Sequence, residues 1–404
     1  MDAVVQGAGG AVAQGAGVAG AGGGVGGRRN SREVILLLCV VFLLLLFLFT
    51  AFVSRMYHKK IHTLADEWFA AGEERFQAGD AGAALTDYQN AMVYSPNNTK
   101  FQFHLAEALA AAGRRDQARP YLLVLLSESP GSGQVNLQLA RIAVANNSRP
   151  DALRYYQGAI YGEWPGDAIA MRWEIRRELC QYLIAKGDIN EATPAVIDLA
   201  ENTAESDPAR LKIVGQLLLE TQLWARAQQV YRSLLTLDRY DEEALAGAGR
   251  AAFELGEFSA ALEDFNRLSA ERLEQPDIAP AHEMAHRVLA MSPYLAGLSP
   301  QVRAQRAANA LSVAQTRADN CARQTGTSLE ETPPRTELQI AYSTSQTMGA
   351  SWGLRDLGKF PDRLESAMQT TFEIENAAAK ACGEPQGDNR ALWLLGRSRS
   401  AVNR

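Results

Sequence analysis

Residues 282–286, His-Glu-Met-Ala-His, are the part of the sequence whose residue types and spacing could support catalysis. Two His side chains at positions i and i+4 share one face of a helix, where they can bind Zn²⁺, and the Glu between them can activate a zinc-bound water. His282 and His286 would then be metal ligands, and Glu283 the general base. None of the five His residues follows His286, so a third ligand would have to be a carboxylate. The candidates are Glu330, Glu331 and Glu337.

These five residues resemble the zinc-binding motif of zinc metallopeptidases, and the resemblance implies a peptidase active site. Two nearby residues depart from that family's pattern. Arg287 follows the second His, where the family usually has an uncharged residue, and Pro280 lies where the active-site helix should already be formed. The sequence also contains no nucleophile, phosphate-binding or dinucleotide motif. We therefore expect no enzyme activity, no bound metal and no cofactor.

Two cysteines of the C-terminal region, Cys321 and Cys382, each lie at the end of a predicted helix. A disulfide between them would pin those helices together and would indicate an oxidising compartment. The alternative is two unrelated buried thiols. The chain has no CxxC or Cys/His zinc spacing.

A period of about 34 residues dominates the sequence after residue 64, and such a period is typical of stacked helical hairpins. The first copy is Ala65 to Asn98, with small, aromatic and turn residues at regular spacing: Trp68, Gly72, Phe76, Gly79, Asp80, Ala84, Tyr88, Ala91 and Pro96. Further copies occupy residues 99–132, 133–166, 173–206, 208–241 and 242–275. The period predicts six hairpins over residues 65–275.

The spacing within each copy resembles the tetratricopeptide repeat. The resemblance implies an all-α solenoid whose concave groove is lined by the first helix of each hairpin and binds extended or helical peptide. It implies the groove contacts Gln102, Asn136, Gln138 and Arg141, although such positions could equally be solvated surface. Phe69 and Glu73 stand where repeats that clamp chaperone tails have Lys and Asn, so we expect no such clamp.

The N-terminal part predicts a tail, a membrane span and a linker. Residues 1–33 are rich in Gly and Ala and predict disorder. Residues 34–53 form a twenty-residue stretch without a charge, which fits a transmembrane helix better than the shorter apolar region of a cleaved signal peptide. Residues 54–64 form a basic juxtamembrane linker. Three Lys or Arg residues flank each side of the span, so charge alone leaves the orientation open.

Residues 276–404 do not continue the period but remain helical in pattern, and we expect them to form a helical cap over the last repeat. Continuing the repeat register through them places His282 and His286 at positions seven and eleven of a further unit, between helices. The formal net charge of −6, with both signs interspersed, gives no reason to expect a nucleic-acid partner. No small-molecule substrate is evident.

Together these features predict a membrane-tethered scaffold that binds protein or peptide partners in its repeat groove and contacts the lipid bilayer through residues 34–53. We expect a single-pass protein of a bacterial inner membrane, with its soluble body in the periplasm. The alternative is a membrane-bound zinc peptidase that uses residues 282–286 and recruits substrates through its repeats.

Overall fold

Helices account for nearly all of the regular structure. The computed structural model describes residues 29–331 and 333–402, and within these ranges the chain forms nineteen α-helices and no β-strand beyond one isolated bridge. The predicted all-α fold is therefore confirmed. The chain divides into two compact units, residues 1–125 and 126–404. The predicted disordered tail falls outside the described residues up to residue 28, and the backbone of residues 29–33 is helical.

The first unit is built on one long helix. Its helices are α1 (Arg29–Gln77), α2 (Ala81–Tyr94), α3 (Thr99–Ala111) and α4 (Arg115–Glu128), the last of which runs past the boundary of the unit. Within the described residues, α1 is the one helix with a segment long and apolar enough to cross a membrane, by length and composition. The same helix continues without a break through residues 54–64 and supplies the first helix of the first hairpin.

A Gly–Tyr contact holds the first hairpin together. Gly72 on α1 faces the Tyr88 ring on α2 so closely that a Cβ at Gly72 would lie 2.6 Å from Cε1 of the ring. Tyr88 is fully buried there. The turn before α2 places Gly79 at φ +84°, and the Asp80 carboxylate caps α2 by accepting from the Ala83 amide. The small residue of the repeat thus lets two helix axes approach, and the aromatic residue fills the space between them.

The second unit begins with four hairpins. Their helices are α5 (Gly133–Ala145) with α6 (Arg149–Tyr161), α7 (Ala168–Ala185) with α8 (Ile189–Glu201), α9 (Pro208–Glu220) with α10 (Trp224–Leu237), and α11 (Glu242–Glu254) with α12 (Phe258–Phe265). The turns within these hairpins need a left-handed residue, which Asn147 and Gln222 supply at φ 54° and 60° where the other two turns use Gly. Ion pairs then join successive hairpins, including Arg149 to Asp188 at 3.0 Å.

Seven further helices follow the last hairpin, and several of them pack against it. They are α13 (Ala270–Leu273), α14 (Ala279–Met291), α15 (Pro300–Thr325), α16 (Glu337–Ser351), α17 (Leu354–Lys359), α18 (Pro361–Cys382) and α19 (Gly387–Val402). Phe258 and Leu262 of α12 share one apolar cluster with Val288 of α14, Phe372 of α18 and Leu392 of α19. The C-terminal helices therefore bury the apolar face that α12 would otherwise expose.

Candidate functional site

The two histidines of residues 282–286 lie together on α14, beside the preceding hairpin. Their ring centroids are 4.7 Å apart, and His282 Nε2 lies 3.3 Å from the Asn266 side-chain oxygen. The His282 ring also meets the edge of Phe265 at 6.1 Å. Partial burial, and then the neighbouring His286, lower the pKa of His282. His282 therefore occupies the between-helix position that the repeat register predicts, whereas His286, predicted at a similar position, is exposed.

Glu283, the predicted general base of the peptidase alternative, is engaged in an ion pair. Its carboxylate accepts from Arg287 at 2.8 Å, and Arg287 also donates to Asp388 of α19 at 3.0 Å. Of the candidate third ligands, Glu331 pairs with Arg335 at 3.0 Å and Glu337 with Lys380 at 2.7 Å. Across the described residues, no group of three or more His, Cys, Asp or Glu could hold a metal ion. The contacts of this site give the peptidase alternative no support.

The predicted groove residue of the first unit, Gln102, is engaged with the backbone. Its side-chain amide donates to the Pro96 carbonyl at 2.8 Å and so fixes the segment between α2 and α3. The same unit also has a polar cluster formed by side chains of α1, α2 and α3. The hydroxyl of Tyr88 donates to Glu73, and His104 Nδ1 lies 3.1 Å from the same carboxylate.

The other three predicted groove residues lie on α5 in the second unit. Asn136 is 5% exposed, and its amide donates to the Ser132 carbonyl at 2.8 Å. Gln138 is 8% exposed. Arg141 reaches α7, where its guanidinium forms a two-pronged ion pair with Glu178. Asn136 and Gln138 are too buried to offer a polar surface to a partner.

Tyrosines on the second helices of the hairpins contact neighbouring first helices. Tyr156 of α6 donates to Glu178 of α7 at 2.9 Å, and both its burial and that carboxylate raise its pKa. Tyr231 of α10 is wedged between two glycines, since a Cβ at Gly215 or Gly247 would lie 2.6 Å or 2.2 Å from Cζ of its ring. The first helices of these hairpins are thereby held close together.

A cavity of about 390 Å³ lies in the second unit where α11, α14 and α19 meet. Its floor is apolar, with half-buried Phe253 from α11 and Ala281 and Met284 from α14. The rest of its lining comprises Glu254, Pro276, Asp277, Pro280, Glu283, Arg287, Gly387 and Arg390. Ligand sites combine apolar surface with a few placed polar groups, and this lining supplies both. We call this set of residues the α11–α14 cavity.

The charges around the α11–α14 cavity differ in how far they are already neutralised. Asp277 pairs with Arg272 at 2.8 Å. The hydrogen bond from Arg272 lowers the pKa of Asp277, although burial acts in the opposite direction. Glu254 of α11 and Arg390 of α19 are exposed, and neither has an ion-pair partner within 4 Å among the described residues. One carboxylate and one guanidinium thus remain available at the rim.

Sequence reasoning singled out Glu283 as a catalytic candidate but did not select the apolar residues of this cavity, although a signal for them exists. When the 34-residue register is continued from Glu242, Phe253 takes position twelve of the sixth repeat and Met284 position nine of the following unit. Both positions lie on the first helix of their repeat unit. The third wall, α19, follows α14 only after some hundred residues, and periodicity carries no information about such a contact.

The structure also brings the predicted cysteine pair together. The sulfurs of Cys321 at the end of α15 and Cys382 at the end of α18 are bonded, with a Cα–Cα distance of 5.8 Å. Nearby, Arg317 donates to the Gly383 carbonyl at 2.8 Å. The ends of α15 and α18 are thus joined covalently and by hydrogen bonding.

Comparison with known proteins adds a family match. Residues 75–128 match the family model described as tetratricopeptide repeat. No curated protein matches the chain in sequence. Similar solved structures include YrrB, a TPR protein with an unusual peptide-binding site (14% identity, 50% of this chain and 97% of that chain, TM-score 0.37). PilW, a type IV pilus biogenesis factor, gives 15% identity, 54% and 97% coverage and a TM-score of 0.38.

A third similar structure is the C-terminal part of a TPR repeat-containing protein from Cytophaga hutchinsonii, with 12% identity, 78% of this chain, 97% of that chain and a TM-score of 0.42. The matched residues 75–128 comprise the end of α1, the whole of α2 and α3, and α4 to its last residue. Further helical hairpins follow, from α5 to α12. Residues 75–128 are therefore a tetratricopeptide-repeat segment within this series of helical hairpins.

Proposed function

We infer that this chain is a non-enzymatic scaffold that binds peptide segments of partner proteins in the α11–α14 cavity while residues 34–53 of α1 tether it to a membrane. The family supports the first half, because tetratricopeptide repeats stack into surfaces for extended peptides. The apolar, charge-free segment of α1 supports the second.

The observation that carries the proposal is the chemistry of the α11–α14 cavity. Phe253 and Met284 leave apolar surface accessible, and Met is a side chain that adapts to different apolar partners. Glu254 and Arg390 supply unneutralised charges of opposite sign on two walls. The best-fitting occupant is an extended peptide with one apolar side chain on the floor and charged residues beside it. A metal-dependent active site has no comparable support.

We place the soluble body outside the cytoplasm of a bacterial cell. The bond between Cys321 and Cys382 supports this placement, since disulfides persist in oxidising compartments.

To test the proposal, a displayed library of random peptides is selected for binding to the full chain in nanodiscs. The variant reverses both rim charges, Glu254→Lys with Arg390→Glu, and the control reverses two exposed charges outside the cavity, Glu263→Lys with Arg239→Glu. We expect peptides enriched on the wild-type chain to bind the rim variant about tenfold more weakly, as for loss of a charged hydrogen bond, and to bind the control unchanged. No enrichment, or equal binding to all three chains, would overturn the proposal.

A further inference from the structure

Residues 54–64 of α1 form an uncovered helical neck between the apolar segment and the first hairpin. They are helical throughout, and residues 54–60 are all exposed, including Met56 at 59% and Tyr57 at 65%. The first fully buried side chain of α1 is Ala65, where packing against the hairpin begins. At about 1.5 Å per residue the neck is roughly 16 Å long. Side chains on it are thus available to whatever surrounds the membrane end of the first unit.

The neck carries an unopposed positive charge. Arg55, Lys59 and Lys60 lie on it. Residues 34–65 contain no Asp or Glu, so the first acidic residue after the apolar segment is Asp66. The helical geometry also orders these side chains. Arg55 and Lys59 stand four residues apart on one face, and His58 and His62 lie on the same face. Arg55, His58, Lys59 and His62 therefore form a stripe of hydrogen-bond donors along one face of the neck.

The stripe lies at the depth of lipid headgroups if residues 34–53 fill the hydrocarbon core. That core is about 30 Å thick and the whole bilayer about 40–45 Å, which leaves a headgroup layer of roughly 5–8 Å on each side. Arg55 follows the span by about 3 Å and Lys59 by about 9 Å along the helix axis. Their long side chains can extend back along the helix, so both charges can reach that layer.

We propose that this neck binds anionic phospholipid headgroups, with Arg55 and Lys59 as the principal contacts. The inference rests on the proposed membrane span. Arg can hold a phosphate through two parallel hydrogen bonds, and Lys adds a compact positive charge. Because α1 is continuous into the first hairpin, lipid held at the neck would also fix the height of that hairpin above the membrane.

The full chain is reconstituted in nanodiscs of phosphatidylcholine doped with phosphatidylglycerol, and native mass spectrometry counts the lipids that remain bound on release. The variant is Arg55→Gln with Lys59→Gln. The control is Arg115→Gln with Arg119→Gln, an exposed basic pair with the same spacing on α4. We expect retained phosphatidylglycerol in the wild type and the control, and about a fivefold loss per neutralised residue in the variant, which corresponds to about 1 kcal/mol each.

Two results would overturn the proposal in distinguishable ways. If the chain enters nanodiscs but retains both lipids equally, or if the variant and the control lose phosphatidylglycerol alike, the neck does not select anionic headgroups and the membrane anchor stands. If the chain does not enter nanodiscs, the anchor itself is wrong and the lipid proposal falls with it.

Discussion

Glu375 on α18 and Arg317 on α15 form a buried ion pair, with 3.2 Å between Oε2 and Nε. Burial raises the pKa of Glu375 to about 8, although Arg317 acts in the opposite direction. A carboxyl whose pKa is higher in the folded chain binds extra protons there. The free energy of unfolding therefore decreases as pH rises from the ordinary carboxyl pKa to about 8.

We accordingly expect Glu375→Gln to remove this pH dependence, because its neutral amide resembles the protonated carboxyl. Denaturant unfolding of the full chain in detergent, followed across that pH window, is the measurement. Glu365→Gln is the matched control on the same helix, since Glu365 is 52% exposed and pairs with Arg399 at the surface. An identical pH slope in the wild type and Glu375→Gln would contradict the assignment.

Gly247 on α11 tests the wedge formed by Tyr231. An added Cβ would lie 2.2 Å from Cζ of the ring, which Gly215 confines from α9. Gly247→Ala should thus lower the free energy of unfolding by about 1–3 kcal/mol through overpacking. Gly349→Ala is the control, because no described atom lies within 4 Å of its Cβ position on α16. It should change stability by less than about 1 kcal/mol, in the stabilising direction. Equal effects of the two changes in thermal unfolding would refute the wedge.

The disulfide belongs to the scale of helices, since it joins the ends of α15 and α18. Its two cysteines are 61 residues apart in sequence. In the chain-entropy model, closing a loop of that length stabilises the folded state by about 4 kcal/mol. Cys321→Ser with Cys382→Ser should therefore unfold at lower denaturant concentration than the wild type.

Reductant provides the internal control for that prediction. A reducing agent should lower the midpoint of wild-type unfolding toward that of the double variant and leave the variant unchanged. If reductant shifts both chains alike, or neither, the stability of the α15–α18 pair does not depend on the bond.

Elements up to α12 could be predicted from the sequence because their packing is local. Gly72 meets Tyr88 within one hairpin, and the same pairing recurs where Gly249 meets Phe265, so a 34-residue period encodes both contacts. Burial of Asn136 escaped prediction because it depends on Gly158 of α6, whose missing side chain leaves room for the amide. The α11–α14 cavity also escaped prediction. Its wall α19 is held by a contact between Arg287 and Asp388, 101 residues apart.

For the molecule as a whole, the two proposed attachments lie at different ends of the sequence. Residues 34–64 would hold the membrane, and the α11–α14 cavity would hold the partner. In the hairpins between them, tyrosines and ion pairs join helices, as where Tyr156 donates to Glu178 and Arg149 pairs with Asp188. This arrangement suits a scaffold, because a scaffold holds its partners together without a chemical step.

The most direct test of the central claim is hydrogen–deuterium exchange of the full chain in nanodiscs, with and without a library-selected peptide. Binding in the α11–α14 cavity predicts slower exchange at the end of α11, in α14 and at the start of α19, with α5 to α8 unchanged. Protection confined to other helices, or the same protection in the chain carrying Glu254→Lys and Arg390→Glu, would show that the partner site lies elsewhere.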